Sequence, residues 1–88
     1  MIDIIYTAKA HEHIIYWATT DKKVFAKLMK MITLTARSPY EGDGKPEALK
    51  HELAGFWSRR ITSEDRFVYS MQEDAIRIVS CKGHYSEI

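Results

Sequence analysis

Apolar and polar positions change rhythm twice along the chain. At the start, Ile2, Ile4 and Tyr6 alternate with Asp3 and Ile5, a β-rich opening that predicts a short strand, with Thr7 placed to cap a helix beginning just after it. Over residues 8–18 the apolar residues Ile14, Ile15 and Ala18 recur at helical spacing, and Thr19-Thr20-Asp21 then interrupts with side chains that favour caps. Over residues 22–36, Val24, Phe25, Leu28, Met31, Ile32 and Thr35 form one stripe, while Lys22, Lys23, Lys27 and Lys30 lie mainly off it. This second helix is amphipathic with a basic outer face. Ser38-Pro39 ends it, because the residue before proline is driven out of the α region, and Gly42-Asp43-Gly44-Lys45-Pro46 is the clearest loop. The rhythm then shortens to three runs rich in aromatic and β-branched residues, at 56–62, 66–71 and 75–81, separated by Ser63-Glu64-Asp65 and Gln72-Glu73-Asp74.

The order β-α-α-β-β-β predicts a single α+β domain over residues 1–88: an antiparallel sheet with a two-helix hairpin on one face and the other face open to a ligand. Composition agrees. The 88 residues are 45% apolar and 28% charged, with only four Gly and two Pro, which fits a folded chain rather than a disordered one. Cys81 is the one cysteine, so no internal disulfide can form and a cytoplasmic location is favoured; in an apolar strand its thiol reads as buried and structural. The first residues show no signal-peptide pattern, and no apolar run approaches the roughly 20 residues that span a bilayer. A core this thin leaves homodimerisation open, since the apolar strands can be covered by the helices alone or by a second copy.

Several familiar catalytic patterns are missing. His11-Glu12-His13 lacks the spacing that puts two imidazoles on one helix face, so no metal site is expected. The glycine loop is followed by Pro46 where a phosphate-binding loop needs Ser or Thr. What is left is a polar set in the second half: Glu47, Lys50, His51, Arg59, Arg60, Arg66, His84 and Tyr85. Taken singly, each has an ordinary structural reading: a solvated loop acid, an exposed arginine ladder, a chain-terminal tail. Taken as a set, they contain what RNA cleavage needs. A base deprotonates the 2′-OH, cations stabilise the dianionic phosphorane, and an acid protonates the 5′-oxygen, with no metal or other cofactor required.

Gly44-Lys45-Pro46-Glu47-Ala48-Leu49-Lys50-His51, Gly55-Phe56-Trp57-Ser58-Arg59-Arg60-Ile61, Arg66-Phe67-Val68-Tyr69 and Cys81-Lys82-Gly83-His84-Tyr85, read in order, resemble the Txe/YoeB family of toxins within the RelE/ParE superfamily. Tyr16-Trp17, Asp21-Lys22 and Ser38-Pro39 extend the likeness over nearly the whole chain. The resemblance implies a ribosome-dependent endoribonuclease that cuts mRNA in the ribosomal A site and is held inactive by a YefM- or Axe-like antitoxin. It also implies roles: Glu47 as general base, Arg66 as phosphate-stabilising cation, His84 as general acid and Tyr85 as a substrate-placing aromatic, all counted as catalytic. Lys50, Arg60, Arg59 and His51 are expected to contact substrate, and Lys22, Lys23, Lys27 and Lys30 to face the ribosome. No membrane is involved, and DNA only through an antitoxin complex.

The chain departs from the family pattern at two places. Ser86-Glu87-Ile88 come after the His-Tyr pair with which the family usually ends, and Asp65 stands where the family tends to have His. Strand alternation is expected to point Asp65 away from the Arg66 face, with a modest effect. Two further readings share the fold: a ParE-like poison of DNA gyrase, which does not need the acid–base set, and a noncatalytic RNA- or protein-binding module. Charge sharpens the picture at one helix. The formal net charge is only +1, from 13 basic and 12 acidic residues, yet residues 21–37 hold five basic side chains and one acidic. That local excess suits docking on a phosphate-rich surface while the near-neutral total restrains indiscriminate RNA binding.

Overall fold

The computed structural model describes residues 1–84. Strand β1 (Asp3–Tyr6) leads into helices α1 (Ala8–Thr20) and α2 (Lys22–Arg37). A loop then reaches the two-residue strand β2 (Glu47–Ala48), a 3-10 turn at His51–Leu53, and strands β3 (Phe56–Arg60), β4 (Arg66–Gln72) and β5 (Ala75–Ser80). The fold is α+β, with the helical hairpin expected from the sequence. The sheet order is β1-β5-β4-β3-β2. Two features differ from the expected antiparallel four-strand arrangement: β2 adds an edge strand, and β1 pairs parallel to β5. The parallel pairing follows from connectivity, because the α1–α2 hairpin carries the chain from the end of β1 to the opposite edge before the meander returns.

Caps set the helix ends. The Thr7 hydroxyl oxygen accepts the Ala10 N–H at 3.1 Å and its hydroxyl donates to the Val79 carbonyl at 3.0 Å, so one side chain starts α1 and ties it to β5. Asp21 does double duty between the helices: its N–H closes α1 on the Trp17 carbonyl, and its carboxylate accepts the Lys23 and Val24 N–H groups that open α2. Such a cap is worth about 1 kcal/mol.

The expected α2 stripe is the observed one, with Leu28, Met31, Ile32 and Thr35 buried and Ala36 joining them. The α1 seam is different. Ala10 and Trp17 are buried with Ile14 packed beside them, while Ile15 is 50% exposed. The set 10, 14, 17 is the true i, i+4, i+7 face, and Ile15 falls one residue off it. Both helices pack on the sheet face that carries Trp57, Phe67, Tyr69, Met71, Ile76 and Ile78. Cys81 is buried here as expected, and burial pushes its thiol up to about 12. No helix among the described residues is long and apolar enough to cross a membrane.

Candidate functional site

Sheet register assembles the site on the face away from the helices. Glu47 of β2 lies opposite Ser58 of β3; Arg60 comes two residues later, hence on the same face; and Arg60 lies opposite Arg66 of β4. These four side chains, joined by Lys45 and His84, line one cleft of about 180 Å³. Four separate segments therefore bring a carboxylate, three cations and an imidazole together. Of the residues expected to be catalytic, Glu47, Arg66 and His84 meet here, while Tyr85 lies outside the described residues.

Arg66 is held by the turn that precedes it. Its Nη1 donates to the carbonyls of Thr62 at 3.0 Å, Asp65 at 3.2 Å and Ser63 at 3.4 Å. His84 is held through the backbone just before it. The Cys81 N–H donates to His13 Nδ1 at 3.0 Å and the Cys81 carbonyl accepts the Trp17 Nε1–H at 2.9 Å. Two residues on, the Gly83 N–H donates to Asp65 Oδ1 at 2.9 Å and the Gly83 carbonyl accepts the Arg66 backbone N–H at 2.9 Å. The bond to His13 requires a neutral ring, because a protonated imidazole has no acceptor. Partial burial keeps this histidine below its ordinary pKa, Lys9 and Lys82 adding to the effect and Glu12 and Asp65 opposing it.

The loop side of the cleft rests on glycine. Gly44 takes φ of +83°, and its carbonyl accepts the Arg60 N–H at 2.7 Å, which extends the β3 edge and sets Lys45 beside Arg60. A Cβ at Gly44 would lie 2.6 Å from Met31 Cε and 2.9 Å from the Arg60 carbonyl oxygen, so a larger residue cannot enter without displacing the cleft wall.

One expected site residue is placed elsewhere. Arg59 is 1% exposed and faces the helices, not the cleft. Its Nη2 donates to the Ser38 and Glu41 carbonyls, its Nη1 to the Asp43 carbonyl and its Nε to the Tyr69 hydroxyl. Arg59 is therefore a buried staple for the loop after α2 rather than a substrate contact, and the reason is strand parity: its neighbour Arg60 takes the other face. Lys50 and His51 are exposed and line an adjacent hollow of about 260 Å³ that shares Glu47 with the cleft. Lys22 and Lys23 are exposed at the start of α2, whereas Lys27 and Lys30 rim a third hollow of about 350 Å³ that continues to Lys45 and Arg60. Lys27 is partly committed, its Nζ donating to the Ile61 carbonyl at 2.5 Å. Lys45 and Ser58 were not among the expected residues; the period-two spacing of Ser58 from Arg60 was the signal available for one, and adjacency to Pro46-Glu47 for the other.

The family described as YoeB-like toxin of bacterial type II toxin-antitoxin system matches residues 6–85. This chain belongs to the YoeB-like toxin family. Toxin YoeB of Escherichia coli (strain K12) is 46% identical over 82 residues, covering 93% of this chain and 98% of that one. Among solved structures, a YoeB/ParE toxin from Agrobacterium tumefaciens superposes with a TM-score of 0.89 at 37% identity, over 96% of this chain and 100% of the other. The YoeB of Staphylococcus aureus, at 40% identity, matches as a YoeB dimer (TM-score 0.87, 96% and 98% covered). It also matches as a heterotetrameric YoeB-YefM toxin-antitoxin complex (TM-score 0.86, 97% and 99% covered). The chain is thus a toxin of a bacterial type II toxin–antitoxin system, on the YoeB fold.

Proposed function

We propose that this YoeB-family toxin is an endoribonuclease that cleaves mRNA in the A site of the ribosome and so stops translation. The observation that carries the reading is the convergence of Glu47, Arg60, Arg66, Lys45 and His84 on one cleft. In the reaction, the Glu47 carboxylate takes the proton of a ribose 2′-OH and the 2′-oxygen attacks the adjacent phosphorus. Charge that accumulates on the non-bridging oxygens is met by Arg66, with Arg60 and Lys45 beside it. The bond from phosphorus to the 5′-oxygen breaks as His84 delivers its proton to that oxygen. The products are a 2′,3′-cyclic phosphate and a 5′-OH, and DNA, which has no 2′-OH, is inert.

The cleft is open and offers few apolar walls to grip a nucleotide, so alignment is supplied from outside. The ribosome holds the mRNA in place, while Lys22, Lys23, Lys27 and Lys30 meet its phosphates. The inhibitor is a YefM-like antitoxin, supported by the S. aureus YoeB-YefM complex, and self-association is supported by the S. aureus YoeB dimer. The deciding experiment maps mRNA 5′ ends after the protein is added to translating ribosomes, with ribosome-free RNA as control. Cuts confined to ribosome-bound mRNA and abolished by Glu47→Ala, Arg66→Ala and His84→Ala are expected. Undiminished cleavage in all three variants, or intact mRNA accompanied by DNA breaks, overturns the reading.

A further inference from the structure

The turn between β3 and β4 bonds both to Arg66 and to the residue just before His84. Arg66 Nη1 is fixed on the Thr62, Ser63 and Asp65 carbonyls. The Asp65 carboxylate spans the same turn and the chain end: Oδ2 accepts the Thr62 hydroxyl at 2.8 Å, and Oδ1 accepts the Gly83 N–H at 2.9 Å. Thr62 Oγ1 in turn accepts the Asp65 N–H at 3.0 Å and the Glu64 N–H at 3.2 Å, so the carboxylate is anchored at its far oxygen before it reaches Gly83. Gly83 adopts φ of +76°, a bend that L side chains rarely make, and the next residue is His84.

Resting on the endoribonuclease reading, we propose that Asp65 is a positioning residue that holds the His84 imidazole in register with the Arg66 guanidinium, so that the leaving 5′-oxygen is protonated while the phosphorane is stabilised. The sequence pattern alone sent Asp65 to the opposite face with a modest effect. It reaches Gly83 because β4 begins only at Arg66, leaving Asp65 in the turn, where alternation does not bind it. Among the described residues, two of the hydrogen bonds that hold residues 81 and 83 are made by α1 side chains and one is backbone to backbone. The Asp65 bond ties the segment by a side chain to the turn carrying Arg66. A carboxylate suits that place: two oxygens accept from two directions, and their charge strengthens both bonds.

The test is single-turnover cleavage of mRNA on programmed ribosomes, with an ordinary linkage and with a 5′-bridging phosphorothiolate, whose sulfur leaves without needing a proton. Asp65→Ala is expected to slow cleavage of the ordinary linkage by about 10- to 100-fold, the scale of a misplaced catalytic group, and the sulfur linkage by less than about 3-fold. Added to His84→Ala it should cost nothing further. Asp65→Asn, which keeps an acceptor for Gly83, should recover most of the rate, and amide exchange at Gly83 should be slow in wild type and fast in Asp65→Ala. Thr62→Val, which leaves the carboxylate anchored at one end only, should show the same linkage dependence at smaller size and serves if Asp65→Ala does not fold. Equal slowing of both linkages, added loss in the His84→Ala background, or an unchanged rate overturns the proposal. If wild type leaves the ordinary linkage intact, the endoribonuclease reading falls first; if wild type cleaves and either His84→Ala is as fast as wild type or His84→Ala is slow while Asp65→Ala is not, only the positioning role falls.

Discussion

The two faces of the sheet treat the same kind of residue in opposite ways. On the helix face Arg59 is buried, its guanidinium spread over three loop carbonyls and the Tyr69 hydroxyl. On the open face Arg60, its immediate neighbour, is exposed and lines the cleft with Arg66 and Glu47. No buried side-chain nitrogen or oxygen among the described residues lacks a hydrogen-bond partner, so the covered face has its polar needs met internally. The open face gathers positive charge instead, with Lys45, Arg60 and Arg66 around Glu47 in the cleft. The difference teaches that arginine content says little here; the parity of the strand position divides buried, internally bonded cations from those that line the cleft.

The sharpest way to break that comparison is to remove chemistry from the open face alone. Glu47→Ala, Arg66→Ala or His84→Ala is expected to lower single-turnover mRNA cleavage by about 10²- to 10⁴-fold. The thermal melting point should barely move for Glu47→Ala and should fall modestly for Arg66→Ala, whose guanidinium also bonds the Thr62, Ser63 and Asp65 carbonyls. A variant that unfolds in step with its lost activity would mean that the two faces are not separable.

The converse change is Arg59→Met on the covered face. It leaves the Ser38, Glu41 and Asp43 carbonyls without their shared donor, and we expect a loss of about 3 kcal/mol in urea unfolding, from several charge-assisted bonds surrendered together. Arg59→Lys should recover little, because a point charge cannot replace the planar fork. Arg60→Met should cost less than about 0.5 kcal/mol in the same assay. Equal losses at 59 and 60 would sink the division by parity.

Between the faces stands Gly44, beside Met31 on one side and the Arg60 backbone on the other. Gly44→Ala is expected to cost about 1–3 kcal/mol, from overpacking and an unfavourable φ, and to weaken cleavage through Lys45 and Arg60. Measuring both quantities in one variant shows how firmly the two faces are coupled.

The smallest effect concerns pH. In the unfolded chain His13 takes up a proton near its ordinary value of 6.5, whereas in the fold its protonation is held to lower pH by burial first and by Lys9 and Lys82 next. Between those two values the unfolded state binds more protons, so acid favours unfolding. The stabilisation is complete above the ordinary value and is lost as pH falls through the folded one. His13→Gln, which can still accept from the Cys81 N–H but does not titrate, should flatten the dependence of the urea midpoint between pH 7.5 and 5.5. An unchanged slope would show that this bond does not govern the acid side.

Much of the fold was legible because local rules suffice for it. The α2 stripe, the Thr7 and Asp21 caps, the Ser38-Pro39 exit and the three strand runs each arise from spacing within a few residues. The α1 seam differs by one position from its sequence pattern because Ile15 is as apolar as Ile14, and only packing tells which of them faces the sheet. The strand β2 was not visible, since two residues carry no alternation and Glu47–Ala48 is a strand only by virtue of its β3 neighbour. The site divides in the same way. Glu47, Arg66 and His84 stand out in the sequence by their order in a family-like pattern, while Arg59 groups with Arg60 there because adjacent arginines look alike until a face is assigned to each.

The sequence by itself determined the α+β class, the helical hairpin, the meander and the chemical types held in the second half of the chain, because periodicity, caps and turn residues act over short range. Tertiary structure alone decided which arginine reaches the cleft, that β1 lies parallel beside β5, and that Asp65 grips the segment ahead of His84. Each of those depends on contacts between segments distant in the chain: strand pairing assigns the arginines their faces and sets β1 beside β5, and the turn after β3 brings Asp65 to Gly83. A shift of one residue in the pairing of β3 would exchange its two faces.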